Sequence, residues 1–147
     1  MPSPSEPECV FCQIASGGGE ASIVYEDEIV MAFMTIEPVN TGHVLIVPRQ
    51  HYPYLADLPT DVGARCFAVA QRVAAAIRAS GLRCEGINMF LADGEAAFQE
   101  VFHLHLHVFP RFKGDAFGLT ADWSVHPPRG ELNVIAQQIR AAYGNGH

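Results

Sequence analysis

The chain has 147 residues, 49% of them hydrophobic, and a formal net charge of −7. That length suits one domain with a buried core, and the apolar content excludes a largely disordered chain. The acidic balance argues against broad nucleic-acid binding, which needs a basic face, while a few local donors can still hold a small anion.

Met1 to Cys12 is polar and acidic, without the positive start and apolar run of a secretory signal. No later stretch reaches the ~18 apolar residues of a membrane span, so no membrane partner and a reducing, cytoplasmic setting are expected. Cys9-Val10-Phe11-Cys12 is half of a zinc site, a redox pair or two ordinary thiols. Its spacer lets both sulfurs reach one ion, while the redox reading lacks a strand before it and a helix after it. Gly17-Gly18-Gly19 reads as a flexible turn. Ile23 to Tyr25 and Ile29 to Met34 read as short strands around the turn Glu26-Asp27-Glu28. Val44 to Val47 is an apolar run consistent with a buried strand ending at Pro48. His43, at its start, is on its residue type alone either a turn histidine bonded to backbone or a site residue.

Thr60 to Ser80 is expected to be the main helix, with Thr60 as cap, Asp61 at the positive end and Gly81 as terminator. Val62, Cys66, Val69, Val73 and Ile77 recur at spacings of three and four, forming one apolar stripe. Cys66 and Cys84 read as structural. Gly86 to Leu91 resumes as a strand, and Asp93 to Glu100 is a small-residue loop whose N–H groups can meet an anion. Arg111 and Lys113 read as solvated or rim cations. An irregular stretch with Trp123, His126 and Pro127-Pro128 precedes a final amphipathic helix, Glu131 to Tyr143, with Leu132, Ile135 and Ile139 inward. Short strands around one long helix predict an α+β fold with helices on one face of the sheet.

The stretch His103-Leu104-His105-Leu106-His107-Val108-Phe109-Pro110 carries the most chemistry. Alternation with period two predicts a half-buried strand, with the three histidines on one face and Leu104, Leu106 and Val108 on the other. Pro110 marks the strand's end or an exposed edge. A chance surface cluster fits so regular a spacing poorly. One metal held by all three is excluded in a regular strand. The outer Cα atoms lie about 13 Å apart, whereas nitrogens on a common ion lie within about 4 Å of each other. Division of labour along a phosphate-bearing substrate fits best.

His-Leu-His-Leu-His-Val-Phe resembles the signature of the histidine triad (HIT) superfamily of nucleotide hydrolases and transferases. Pro38-Val39-Asn40-Thr41-Gly42-His43-Val44-Leu45-Ile46-Val47-Pro48 resembles a second landmark, and Asp93-Gly94-Glu95-Ala96-Ala97-Phe98-Gln99 the loop before the triad. The resemblance runs from about Cys9 to Pro110. It implies a HIT-like antiparallel sheet with one main helix and a C-terminal helix. Residues 1–147 would form a single HIT domain, with a core at about 9–112 and a tail and helix at 113–147. It further implies zinc on Cys9, Cys12, His51 and His103, structural because four protein ligands leave no place for water. By the same resemblance His43 lines the active site, Gln99 contacts phosphate and Thr35 stands where relatives bind ribose. Thr35, Ala92, Phe98 and Glu100 depart from the usual residues: Asp or Asn, Asn or Gln, Gly, and Ser or Thr respectively. Homodimers are common in the superfamily.

The implied mechanism is attack by His105 on the α-phosphorus of a dinucleoside polyphosphate or nucleoside phosphoramidate. A nucleotidyl-histidine forms, and water then releases the nucleotide. Imidazole suits this, being mostly neutral and nucleophilic at pH 7. His107 would donate to the non-bridging oxygens, and His43 would shape the site near the leaving group. The rival readings are a nucleotide-binding module without turnover and a hydrolase whose zinc activates water.

Overall fold

In the computed structural model, which describes residues 8–144, five strands run antiparallel in one sheet. They are β1 (Ile23–Glu26), β2 (Val30–Met34), β3 (Val44–Pro48), β4 (Gly86–Leu91) and β5 (Leu106–Arg111), in the spatial order β1-β2-β3-β5-β4. Two helices cover opposite faces: α1 (Val10–Ala15) and α2 (Thr60–Ala79). The expected helices on one face therefore become one on each. Period-two alternation along β3 sends Val44 and Ile46 to the α2 side, and Leu45 and Val47 to the α1 side. Both faces are buried, so β3 reads as an unbroken apolar run.

The stripe on α2 packs as its spacing demands: Cys66, Val69, Val73 and Ile77 are buried against Val30, Ala32, Ile46 and Val108. Thr60 is the first helical residue and not the cap. Pro59 takes the cap position in an extended conformation and supplies no side-chain bond. Gly81, at φ +90°, follows the helix where only glycine turns the chain without strain. The turn between β1 and β2 is tied by Asp27, whose Oδ1 accepts from the Ile29 and Val30 N–H groups at 2.8 and 2.9 Å. Arg65 of α2 donates to its Oδ2 at 2.7 Å, locking helix to turn.

The triad segment departs from a regular strand. β5 begins only at Leu106, so His103, Leu104 and His105 form a non-strand approach. Extending the register with β3 would set Leu104 opposite Pro48. Pro48 has no N–H to give, and its carbonyl is taken by His103 Nε2 at 2.7 Å. Leu104 N–H turns instead to the Tyr52 carbonyl at 2.7 Å. At the other end Pro110 lies inside the strand, opposite Ile87 of β4 and beyond the last residue of β3 paired with β5. Its carbonyl accepts from Asn40 Nδ2 at 2.9 Å on that side, so the missing N–H breaks no ladder. Arg111 is no solvated cation: it grips Asp115 through Nε and Nη2 at 2.7 and 2.8 Å and reaches Asn88.

The chain divides between Ala116 and Phe117 into two compact units, where the sequence placed the end of the core near 112. The second unit, taken by itself, carries α3 (Arg129–Ala142), which starts directly after Pro127-Pro128. Leu132, Ile135 and Ile139 share one apolar side of this helix at spacings of three and four.

Candidate active site and metal cluster

β3 and β5 lie side by side, and His43 at the head of β3 meets His107 of β5. The Val39 N–H donates to His43 Nδ1 at 3.0 Å, so that nitrogen is bare and the ring's proton sits on Nε2. His43 Nε2 lies 2.9 Å from His107 Nδ1 and donates to it. His107 is thereby held with its own proton on Nε2. One backbone amide sets the tautomer of two rings in series.

His105 is set differently. Its Nδ1 lies 2.9 Å from the His103 carbonyl, which only accepts, so Nδ1 carries the proton and Nε2 the free lone pair. Among the described residues no group bonds to that Nε2, while every fully buried side-chain nitrogen or oxygen has a partner. The Nε2 lone pair therefore opens to solvent. The His105 ring stands 4.9 Å from that of His107 and 5.0 Å from the Phe11 ring. Burial holds His105 below the ordinary histidine pKa, against the opposing pull of the His103 carbonyl. Burial pushes His43 and His107 each down to about 4, helped by the neighbouring imidazoles. At neutral pH the cluster is uncharged.

His103 faces away from this group toward the amino-terminal thiols. Its Nε2 donates to the Pro48 carbonyl, which leaves Nδ1 bare at 3.4 Å from Cys9 Sγ and 3.5 Å from Cys12 Sγ. His51 Nδ1 lies 3.4 Å from Cys12 Sγ, and the donor atoms of Cys9, Cys12, His51 and His103 all fall within 4.8 Å of one another. A tetrahedral zinc, about 2.3 Å from sulfur and about 2.0 Å from nitrogen, sets sulfur–nitrogen edges of about 3.5 Å. The cluster has the donor set and the size for that ion. Cys9 also caps α1, its Sγ accepting from the Cys12 N–H at 3.4 Å. The sequence pattern does not announce this six-residue helix, whose cap is a cysteine.

The remaining candidates are placed less directly. The Gln99 carboxamide is buried and fully engaged, accepting from Gly94 N–H at 2.8 Å and donating to the carbonyls of Pro53 and Val101 at 2.7 and 3.2 Å. Thr35 adjoins His43, its N–H donating to the His43 carbonyl at 3.2 Å, while its Oγ1 accepts from the Glu37 N–H. Phe98 adopts a left-handed conformation with its ring exposed, and Glu100 is exposed beside it. Ala92 is buried. Phe11 was missed as a site residue; its ring touches those of His103, His105 and Phe33. Its position between the two cysteines was the available signal.

The family model for the HIT domain matches residues 17–114. The chain belongs to the HIT family. It is 39% identical over 112 residues to an uncharacterized HIT-like protein of Borreliella burgdorferi, covering 76% of this chain and 81% of that one. It is 30% identical over 122 residues to an adenosine 5'-monophosphoramidase of Saccharomyces cerevisiae, covering 83% and 73%. Two solved HIT structures share the fold. A Bacillus subtilis member superposes with a TM-score of 0.82 at 36% identity over 91% of this chain and 96% of that one. A zinc-bound histidine triad protein of Mycobacterium smegmatis does so with a TM-score of 0.72 at 42% identity, covering 92% and 97%. The HIT fold of this chain is thus the open antiparallel sheet described above.

Proposed function

We propose that this HIT protein is a nucleotide hydrolase or transferase that works through a covalent intermediate on His105. The observation that carries the reading is the 2.9 Å approach of His105 Nδ1 to the His103 carbonyl, which puts a lone pair on Nε2. That lone pair forms a nitrogen–phosphorus bond at the α-phosphate, and the bond to the leaving group breaks with its electron pair. The ring becomes cationic, and the His103 carbonyl bonded to Nδ1–H stabilises that charge. Water then attacks the same phosphorus, and the electron pair returns to Nε2. His107 Nε2–H donates to a non-bridging oxygen, with His43 holding its tautomer.

Gln99 serves this site by holding the loop before the triad, and Thr35 offers the sugar one hydroxyl. Similarity to the yeast adenosine 5'-monophosphoramidase supports a phosphoramidate substrate ahead of a dinucleoside polyphosphate. Zinc on Cys9, Cys12, His51 and His103 has a structural role, since four protein ligands leave no position for water. A thiolate site of this kind suits a reducing, cytoplasmic setting. A homodimer fits the outer edge of β4, which has no strand partner among the described residues and exposes Met89 and Phe90. Equilibrium sedimentation tests it, and a monomer at every concentration removes it.

The deciding experiment incubates the protein with adenosine 5'-monophosphoramidate labelled at its phosphate, followed by rapid acid-free denaturation. Label is expected on the wild-type chain and absent from His105→Ala. A protein that binds the compound without ever acquiring label is a binding module, and the enzymatic reading then fails. Rates measured beside a diadenosine polyphosphate rank the two substrate classes.

A further inference from the structure

We propose that Phe11 is a positioning residue for His105, held in place by the cysteine knuckle on either side of it; the proposal rests on His105 being the nucleophile. A histidine ring turns on a broad terminal torsion, so a single hydrogen bond holds its plane poorly. Two further surfaces confine this one. The His107 ring lies at 4.9 Å, and the Phe11 ring stands nearly perpendicular at 5.0 Å and 79°. Phe11 is itself buried and braced. It meets Phe33 of β2 at 5.6 Å and 66°, and His103 at 5.7 Å and 83°. It therefore touches both the ring that bears the lone pair and the residue whose carbonyl sets that ring's tautomer.

Its backbone is placed by its neighbours. Cys9 caps α1 by accepting from the Cys12 N–H, and both sulfurs face His103 Nδ1. The metal cluster and the reactive ring are thus two ends of one rigid piece, with Phe11 as the link. Without the aromatic edge the His105 ring can rotate out of line with the His103 carbonyl, and Nε2 loses its aim.

The test uses Phe11→Leu and Phe11→Met in the full chain, two replacements that keep apolar bulk but remove the ring. Metal content and melting temperature confirm that each variant compared is loaded and folded. Nitrogen-15 spectra of the His105 imidazole report the tautomer without any turnover. The wild type should show protonated Nδ1 and bare Nε2, and the variants an averaged pattern. Labelling by adenosine 5'-monophosphoramidate should slow about tenfold at saturation, the upper range of what one aromatic pair supplies, with KM little changed. An unchanged imidazole spectrum overturns the proposal, as does a rise in KM alone or a rate lost only where metal is lost. If the wild-type chain takes up no label, the nucleophile assignment fails, and the spectra still decide what Phe11 does to the ring.

Discussion

Replacing Phe98 by glycine should stabilise the protein, because Phe98 holds a backbone conformation that costs an L-residue energy. Its φ of 71° and ψ of 27° place it in the left-handed region, alone among the described non-glycine residues. A Cβ there costs about 1–2 kcal/mol. Glycine removes that strain but has more freedom to lose on folding, about 0.5–1 kcal/mol. The ring is 81% exposed, so its deletion forfeits little burial. The balance is a gain of about 0–1.5 kcal/mol, which for a chain of this size raises the melting temperature by up to roughly 6 °C. Differential scanning calorimetry of Phe98→Gly beside Phe98→Ala isolates the cause, since alanine removes the ring but keeps the Cβ. Glycine should melt above wild type and alanine should not. A glycine variant no more stable than the alanine variant would refute the strain argument. Residues strained in this way collect at functional sites, and this one directly precedes the Gln99 anchor of the loop feeding the triad.

Cys9→Ser should abolish stoichiometric zinc in elemental analysis. It should also lower the melting temperature by about 5–10 °C, the loss expected when a tightly bound ion no longer favours the folded state. Labelling of the remaining folded protein should fall no further than in Phe11→Leu. Acid should destabilise the fold through the His43–His107 pair. Their folded pKa values of about 4 lie below the ordinary value of 6.5, so the stability they contribute is complete above about pH 6.5 and is lost as pH falls toward about 4. Urea denaturation at stepped pH reads this slope, which should be shallower in His43→Asn. Burial, with Asp27 nearby, pushes the Cys66 thiol up to about 11. Iodoacetamide at pH 8 should leave Cys66 unmodified in the native protein and alkylate it in urea, as mass spectrometry of peptides would show.

Much of the fold was legible because it rests on local periodicity. The stripe from Val62 to Ile77 predicted the buried face of α2, and the apolar run at Val44 predicted a strand covered on both sides. The three family landmarks brought His43, His105 and His107 together on paper before the structure did so in space. Other features were not legible. Alternation across His103 to His107 predicted a strand two residues on either side of its central histidine, but the ladder starts only at Leu106. What stopped it was Pro48, more than fifty residues away.

From its sequence alone this chain is a HIT protein with an α+β sheet, a main helix, a run of histidines and a pair of cysteines ready for a metal. Those properties come from residue types repeated at short intervals, which the chain carries wherever it is. Only the tertiary structure decided which nitrogen of each imidazole holds the proton. A tautomer is chosen by the polar group that faces the ring, and for His103 and His107 that group comes from another part of the chain. The place of Phe11 was decided in the same way, by a ring packed against residues far along the sequence.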